Sequence, residues 1–270
     1  MDFLSTIINQ KRQRVETAKS SVSPAVIKLM AQQSRAVVPH HALVNALSDE
    51  DRINIIAEFK RKSPSRGEIR SGADPASMAR SYESAGAAAV SVLTEEDYFD
   101  GSLDDLRAVR QAIALPVLRK DFIFEDYQVY ESAAVGADAL LLIVAALDDE
   151  TLVRLRRIAE DELGMDALIE VHTREEMDRA VKSGARIIGV NNRNLSTFEV
   201  SLDTSVYLAQ HAPNGALLIS ESGIGSAADI ARLRSLGYRG CLIGESLMRA
   251  DDPKRALRDF TQGPADAKKD

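Results

Sequence analysis

Gly136-Ala137-Asp138-Ala139-Leu140-Leu141-Leu142-Ile143-Val144 joins a turn glycine to a short apolar run, and its recurrence along the chain decides the fold. The run continues to Leu147, nine residues from Ala139, and is the longest of its kind in the sequence. That is well short of the roughly 18 to 20 residues that span a bilayer. Counterparts lie at Ile53 to Phe59, Ala88 to Leu93, Val117 to Lys120, Ala167 to Val171, Ile187 to Val190, Leu217 to Ser220 and Gly240 to Ile243. With Ala139 to Val144 these make eight strand-like runs. The glycine turn recurs as Gly86-Ala87, Gly184-Ala185 and Gly237-Tyr238, so the four turns are 50, 48 and 53 residues apart. Each glycine suits the left-handed residue that ends a helix before the next strand. Two strand-helix units per repeat give eight units from Ile53 to about residue 260. The count predicts an α/β fold of the (βα)8 TIM barrel type, whereas an open doubly wound sheet does not require eight.

The intervening segments carry helix starts. Asp74-Pro75 and Asp252-Pro253 set a cap residue before a first-turn proline, and Thr173 with Glu176 forms a capping box. Before the repeat, Leu4, Ile7, Ile8 and Val15 are spaced for an amphipathic helix from Asp2 to about Lys19. Ser23-Pro24 then opens a mostly helical connector to about Leu47 that is placed to cover the barrel mouth or floor. The expected organisation is an N-terminal helical extension, 1–50, packed on a catalytic barrel, 51–260, with a flexible tail, 261–270.

Composition narrows the function. The 270 residues are 45% hydrophobic and 28% charged, ample for a large core. Thirty-four Lys and Arg against 41 Asp and Glu leave a net charge of −7, which argues against a general nucleic-acid or anionic-membrane surface. The single cysteine, Cys241, excludes an internal disulfide and reads as core packing. Gln10, Lys11 and Arg12 interrupt any signal-peptide core, so a cytoplasmic location is expected.

Barrels of this type carry their chemistry at the C-terminal ends of the strands. The first strand ends in Glu58-Phe59-Lys60; alternation places both charges inside and Phe59 toward the helices. Other strands end in Leu118-Arg119-Lys120-Asp121, Ile169-Glu170-Val171-His172, Val190-Asn191-Asn192-Arg193 and Ser220-Glu221-Ser222-Gly223. A structural ion pair is the plain reading of any one of these ends. Five ends that crowd ionisable or amide groups onto one rim cost stability unless the groups are paired, whereas acid-base chemistry requires them.

A phosphate site is the second expectation. Ser222-Gly223-Ile224-Gly225-Ser226 runs from the seventh strand into a helix, and Ile243-Gly244-Glu245-Ser246 runs from the eighth into another. Adjacent helix N-termini at this place suit an anion, with Lys60, Ser63 and Arg193 available from other loops. Gly223-Ile224-Gly225-Ser226-Ala227-Ala228 also matches a dinucleotide fingerprint, but only one strand follows it, so NAD is rejected. No H-x-x-x-H pair suggests a metal, and Ser222 is not in a nucleophile elbow. His172 is expected to turn away from the rim or to sit at the loop edge.

Taken together, Ile55 to Ser65, Leu118-Arg119-Lys120-Asp121-Phe122, Leu168-Ile169-Glu170-Val171, Gly189 to Leu195, Glu221-Ser222-Gly223-Ile224 and Leu242-Ile243-Gly244 resemble, in order, the indole-3-glycerol phosphate synthases of tryptophan biosynthesis. The resemblance implies closure of 1-(o-carboxyphenylamino)-1-deoxyribulose 5-phosphate to an indole with loss of carbon dioxide and water, without cofactor or metal. It implies Lys120 as the acid at the ketone oxygen, Glu170 and Lys60 as the pair that supplies the acid and the base of the dehydration, with neither role assigned between them, and Glu58, Asn191, Glu221 and Ser222 as further members of the site. Substrate contacts are expected from Ser63, Phe99, Phe122, Arg193, Leu195, Gly223, Gly244 and Glu245, with Phe3 as a lid.

The chain departs from the family in lacking Trp, and Glu245 stands where some relatives have Ser or Thr. Its carboxylate must point away from a phosphate, leaving only a backbone contact. The chain stops after unit eight, so it is expected to be monofunctional, as a monomer or weak homodimer. The rival readings are another phosphosugar barrel, either an aminodeoxyribulose phosphate isomerase or a Schiff-base aldolase, and a non-catalytic barrel that binds a phosphometabolite.

Overall fold

The computed structural model describes residues 3–195 and 197–262. Its centre is a closed barrel of eight parallel strands: β1 (Asn54–Phe59), β2 (Ala89–Leu93), β3 (Val117–Lys120), β4 (Ala139–Ile143), β5 (Asp166–Val171), β6 (Ile187–Asn191), β7 (Leu217–Glu221) and β8 (Gly240–Ile243). Each strand pairs with the next, and β8 closes on β1 through Asn54↔Gly240 to Ala57↔Ile243. The eight runs read from the sequence are these strands, with ends shifted by at most one residue. The four repeat glycines all have φ between 82° and 92°, a conformation that costs a Cβ-bearing residue about 1 kcal/mol or more.

Because neighbouring side chains alternate, two apolar layers form. Ile55, Ala57 and Phe59 face the helices, while Ile56 joins Leu118, Leu141, Leu168, Ile219 and Leu242 inside the barrel. The interior is therefore a filled core below the rim rather than a channel.

Three helices precede β1: α1 (Phe3–Ser21), α2 (Pro24–Arg35) and α3 (Ala42–Leu47). In α1 the buried positions are Ile7, Lys11 and Val15, one helical face. The Ser23 hydroxyl caps α2 by accepting from Val26 N–H at 3.4 Å. Helix α2 lies against α6 (Asp126–Ala134), where Lys28 donates to the Tyr130 hydroxyl at 2.9 Å. Helix α3 plugs the bottom, with Leu43 and Leu47 fully buried in the inner core. The extension thus serves both ends of the barrel, since α1 reaches the mouth and α3 the floor.

Two local expectations change. The Thr173 hydroxyl accepts from Glu176 N–H at 3.2 Å, but the return bond to Glu176 comes from the His172 N–H at 2.7 Å rather than from Thr173. The last helix, Pro253–Gln262, runs two residues into the segment expected as a tail; the remainder of that tail lies outside the described residues. Among the described residues no helix is long and apolar enough to cross a membrane.

Candidate active site

The seven residues expected for catalysis, the eight expected to contact substrate and the lid residue Phe3 all line one cavity at the C-terminal mouth of the barrel. It encloses about 1210 Å³ including its open mouth, room for a ligand of metabolite size. Helix α1 forms part of its wall through Phe3, Leu4 and Ile7, with Phe3 edge-on to Tyr98 and Phe198 at ring-centroid distances of 5.2 and 5.3 Å.

At the centre stands Lys120, the last residue of β3. Its Nζ lies 3.3 Å from Glu170 Oε2 at the end of β5 and 3.2 Å from Glu221 Oε2 at the end of β7. Burial opposes the ammonium, but Glu221, Glu170 and Glu58 outweigh it and hold the Lys120 pKa above the ordinary lysine value. Burial likewise opposes the Glu170 carboxylate; there Lys120 and His172 win and push its pKa down. At Glu221 burial prevails, assisted by Glu170 and Glu58, and the carboxyl is pushed up to about 8. Two carboxyl groups facing one lysine thus have opposite proton preferences, the arrangement that separates a base from an acid. A second pair sits nearby, where Lys60 donates to Glu58 Oε1 at 2.6 Å.

Space for these carboxylates comes from glycines. A Cβ at Gly189 on β6 would collide with Glu221 Oε1, and one at Gly244 would collide with Glu58 Oε1. The register pairs Glu170 with Gly189 and Asn191 with Glu221, so strand pairing delivers the cluster to one level. Gly189 escaped the sequence reading because its role is an absent side chain.

Beyond the charged centre the cavity lining is of two kinds. Phe99 and Phe122, with ring centroids 6.4 Å apart, and Leu195 supply an apolar wall. Ser63, Arg193, Ser222, Gly223, Gly244 and Glu245 supply polar and backbone surface. Ser222 and Gly223 take φ of 66° and 78°, a tight left-handed turn out of β7. Helix α10 (Ala227–Ser235) contributes less to an anion site than expected. Its Asp229 carboxylate accepts from Gly225 N–H at 3.1 Å and from the Ser226 hydroxyl at 2.8 Å, so the helix caps itself. The turn at Gly223-Ile224 and the start of α11 (Glu245–Arg249) are what face the cavity. The Glu245 carboxylate turns to Arg66, 3.0 Å away on the loop after β1.

The structure corrects two expectations about the rim. Arg119, counted with Lys120, points its guanidinium into a separate network behind the strand, and Asp121, although it lines the cavity, commits its carboxylate to the same network. Arg119 donates to Thr94 Oγ1, Glu131 Oε2, Ser132 Oγ and Asp121 Oδ2 at 2.9 to 3.2 Å. Lys11 of α1, read from the sequence only as a charge that interrupts a signal-peptide core, completes this network 2.9 Å from Asp121. His172 takes the second of its two expected places, the loop edge just past β5 and outside the cavity lining, but its ring points to Glu170 rather than away. It shares strand parity with Glu170, and its Nε2 lies 3.4 Å from Glu170 Oε1 while its Nδ1 lies 3.1 Å from Glu176 Oε2. Among the described residues no group of three or more His, Cys, Asp or Glu could hold a metal ion.

Comparison with known proteins agrees with this architecture. The family model for indole-3-glycerol phosphate synthase matches residues 4–260. An indole-3-glycerol phosphate synthase of Syntrophobacter fumaroxidans is 47% identical over 258 residues, covering 95% of this chain and 96% of the relative. One of Mycolicibacterium gilvum is 48% identical over 257 residues, covering 95% and 93%. Among solved structures, 3-hexulose-6-phosphate synthase from Salmonella typhimurium superposes with a TM-score of 0.62 at 13% identity, covering 77% of this chain and 96% of that one. Thiamine phosphate pyrophosphorylase from Pyrococcus furiosus does so with a TM-score of 0.58 at 16% identity, covering 78% and 94%. These two likenesses speak to the barrel alone; with the family match and the two close relatives, the chain belongs to the indole-3-glycerol phosphate synthase family.

Proposed function

We propose that this chain converts 1-(o-carboxyphenylamino)-1-deoxyribulose 5-phosphate to indole-3-glycerol phosphate, carbon dioxide and water. The observation that carries the reading is Lys120, an ammonium group held between Glu170 and Glu221 in a cavity lined both by aromatic side chains and by backbone turns. The anthranilate ring fits the Phe99, Phe122 and Leu195 side. The phosphate fits the side built by Gly223, Gly244 and the start of α11, with Ser63 and Arg193 adding donors.

In this reading the ring carbon that bears the carboxylate attacks the ketone carbon, and Lys120 donates a proton to the ketone oxygen as it gains charge. Loss of carbon dioxide returns the bonding pair to the ring and restores its aromaticity. The hydroxyl then leaves as water with a proton from Lys60, while Glu170, held ionised, removes a second proton and the indole double bond forms. Glu58, Asn191, Glu221 and Ser222 hold substrate hydroxyls and set the charge of the two lysines.

The test is to mix purified protein with this substrate, without added metal or cofactor, and follow indole absorbance and fluorescence. Indole formation is expected. A folded protein that binds the substrate but forms no indole contradicts the reading. Covalent trapping by borohydride in the presence of substrate would favour a Schiff-base aldolase instead.

A further inference from the structure

His172 stands behind the cavity wall, yet it touches one of the cavity's two paired carboxylates. Its side chain is 11% exposed and lies between Glu170, 3.4 Å from Nε2, and Glu176 of α8 (Arg174–Ser183), 3.1 Å from Nδ1. Glu176 Oε2 also accepts the His172 backbone N–H at 2.7 Å, so the glutamate is fixed from two directions. A neutral imidazole has one protonated nitrogen and one lone pair. Either tautomer would set that lone pair against a carboxylate, whereas the imidazolium presents positive charge to both, through a hydrogen bond at Nδ1 and, at Nε2, through charge alone.

The carboxylates that share Lys120 are therefore unequal. Glu170 is faced by Lys120 from β3, Asn191 from β6, Glu221 from β7 and His172 at the end of its own strand. Glu221 is faced by Lys120, Glu170 and Glu58, and among the described residues it makes no second ion pair. His172 itself is faced by Glu170 and Glu176, with Glu221 farther off.

We propose that His172 is a positioning residue for the reaction: its imidazolium, clamped by Glu176, holds Glu170 Oε1 so that the negative charge of the pair rests on Glu170 and Oε2 stays aimed at Lys120. The proposal rests on the reading of Glu170 as the base. It assigns His172 no contact with substrate, so binding and turnover should separate.

The experiment compares wild type with His172→Leu, His172→Gln and Glu176→Gln. In His172→Leu, kcat falls about tenfold with KM within about twofold, and the acidic limb of the kcat profile moves up by about one pH unit, because Glu170 has lost a cation. His172→Gln, which keeps an amide donor, recovers part of kcat but not the position of the limb. Glu176→Gln shifts the limb in the same direction by less. NMR titration of the wild-type ring reads the clamp without turnover: His172 stays charged above the ordinary histidine range, and less so in Glu176→Gln. A ring that is neutral at pH 7, or an unmoved acidic limb in folded His172 variants, overturns the proposal alone. A wild-type protein that makes no indole overturns the reading of the reaction, and this proposal with it.

Discussion

Arg119 and Lys120 are consecutive cations of β3, both withdrawn from solvent, and they lie in opposite electrostatic settings. Arg119, 1% exposed, is saturated by Thr94, Glu131, Ser132 and Asp121, and Asp121 in turn receives Lys11 and Thr94 at 2.9 and 2.6 Å. Lys120 faces two carboxylates at 3.2 and 3.3 Å, and no hydrogen bond of good geometry reaches either Glu221 oxygen among the described residues. The first network fixes the strand end to α1 and α6. The second leaves charge under-satisfied where a substrate would arrive. A half-satisfied buried cluster is unfavourable for folding alone, and catalytic groups need that latitude.

Substitution can break this contrast. The largest expected effect is on turnover: Lys120→Ala lowers kcat by about 10³-fold, within the range of general acid catalysis, while affinity for a phosphate-bearing ligand largely persists. Its stability should fall by less than that of Arg119→Met, because Glu221 already favours its proton and His172 remains beside Glu170. Arg119→Met should do the reverse. It leaves Glu131 without its cation and Asp121 with Lys11 and Thr94, and costs about 3 kcal/mol in urea unfolding, with kcat of the folded fraction near wild type.

The two clusters also respond to pH with opposite sign. Despite burial, Lys11 and Arg119 pull Asp121 down to about 2, below its ordinary 3.8. Its contribution to stability is full above pH 3.8 and is lost as pH falls through about 2. Glu221 is raised from 4.5 to about 8, so its contribution is full below pH 4.5 and is lost as pH rises toward 8. Glu221→Gln should therefore gain thermal stability over wild type progressively from pH 5 to pH 9 while losing turnover. A melting difference that is flat with pH would remove the asymmetry. The smallest effect belongs to the pair of exposed Arg66 and half-buried Glu245. Arg66→Ala should change stability by less than about 0.5 kcal/mol and raise KM by no more than about twofold at low salt, as the carboxylate, left with Arg249 at 3.8 Å, repels phosphate, an effect that high salt erases.

The barrel was legible because two independent signals agree along the chain, the apolar runs and the left-handed glycines that precede alternate strands. Features carried by very few residues were not: the hairpin of Lys62–Ser63 with Gly67–Glu68 has two residues per strand, and the π-helical turn Ile158–Glu162 leaves no mark in the pattern. Strand period brought Glu58, Lys60, Lys120, Glu170, Asn191 and Glu221 to one rim, since a residue's side of the sheet follows from counting. Counting was misapplied at His172, which shares the parity of Glu170. It was not carried through at Arg119 and Asp121, whose parity sends their charged groups to the network behind the strand. Lys11 and Gly189 depend on tertiary neighbours, a buried aspartate and a carboxylate oxygen, and neither neighbour is visible from local sequence.

The most direct test of the contrast along β3 is indole fluorescence after mixing 1-(o-carboxyphenylamino)-1-deoxyribulose 5-phosphate with wild type, Lys120→Ala and Arg119→Met, each held well below its melting midpoint. Rapid indole formation by wild type and Arg119→Met with near silence from a folded Lys120→Ala is the predicted result. Equal losses at both positions, or full turnover by Lys120→Ala, would contradict the account.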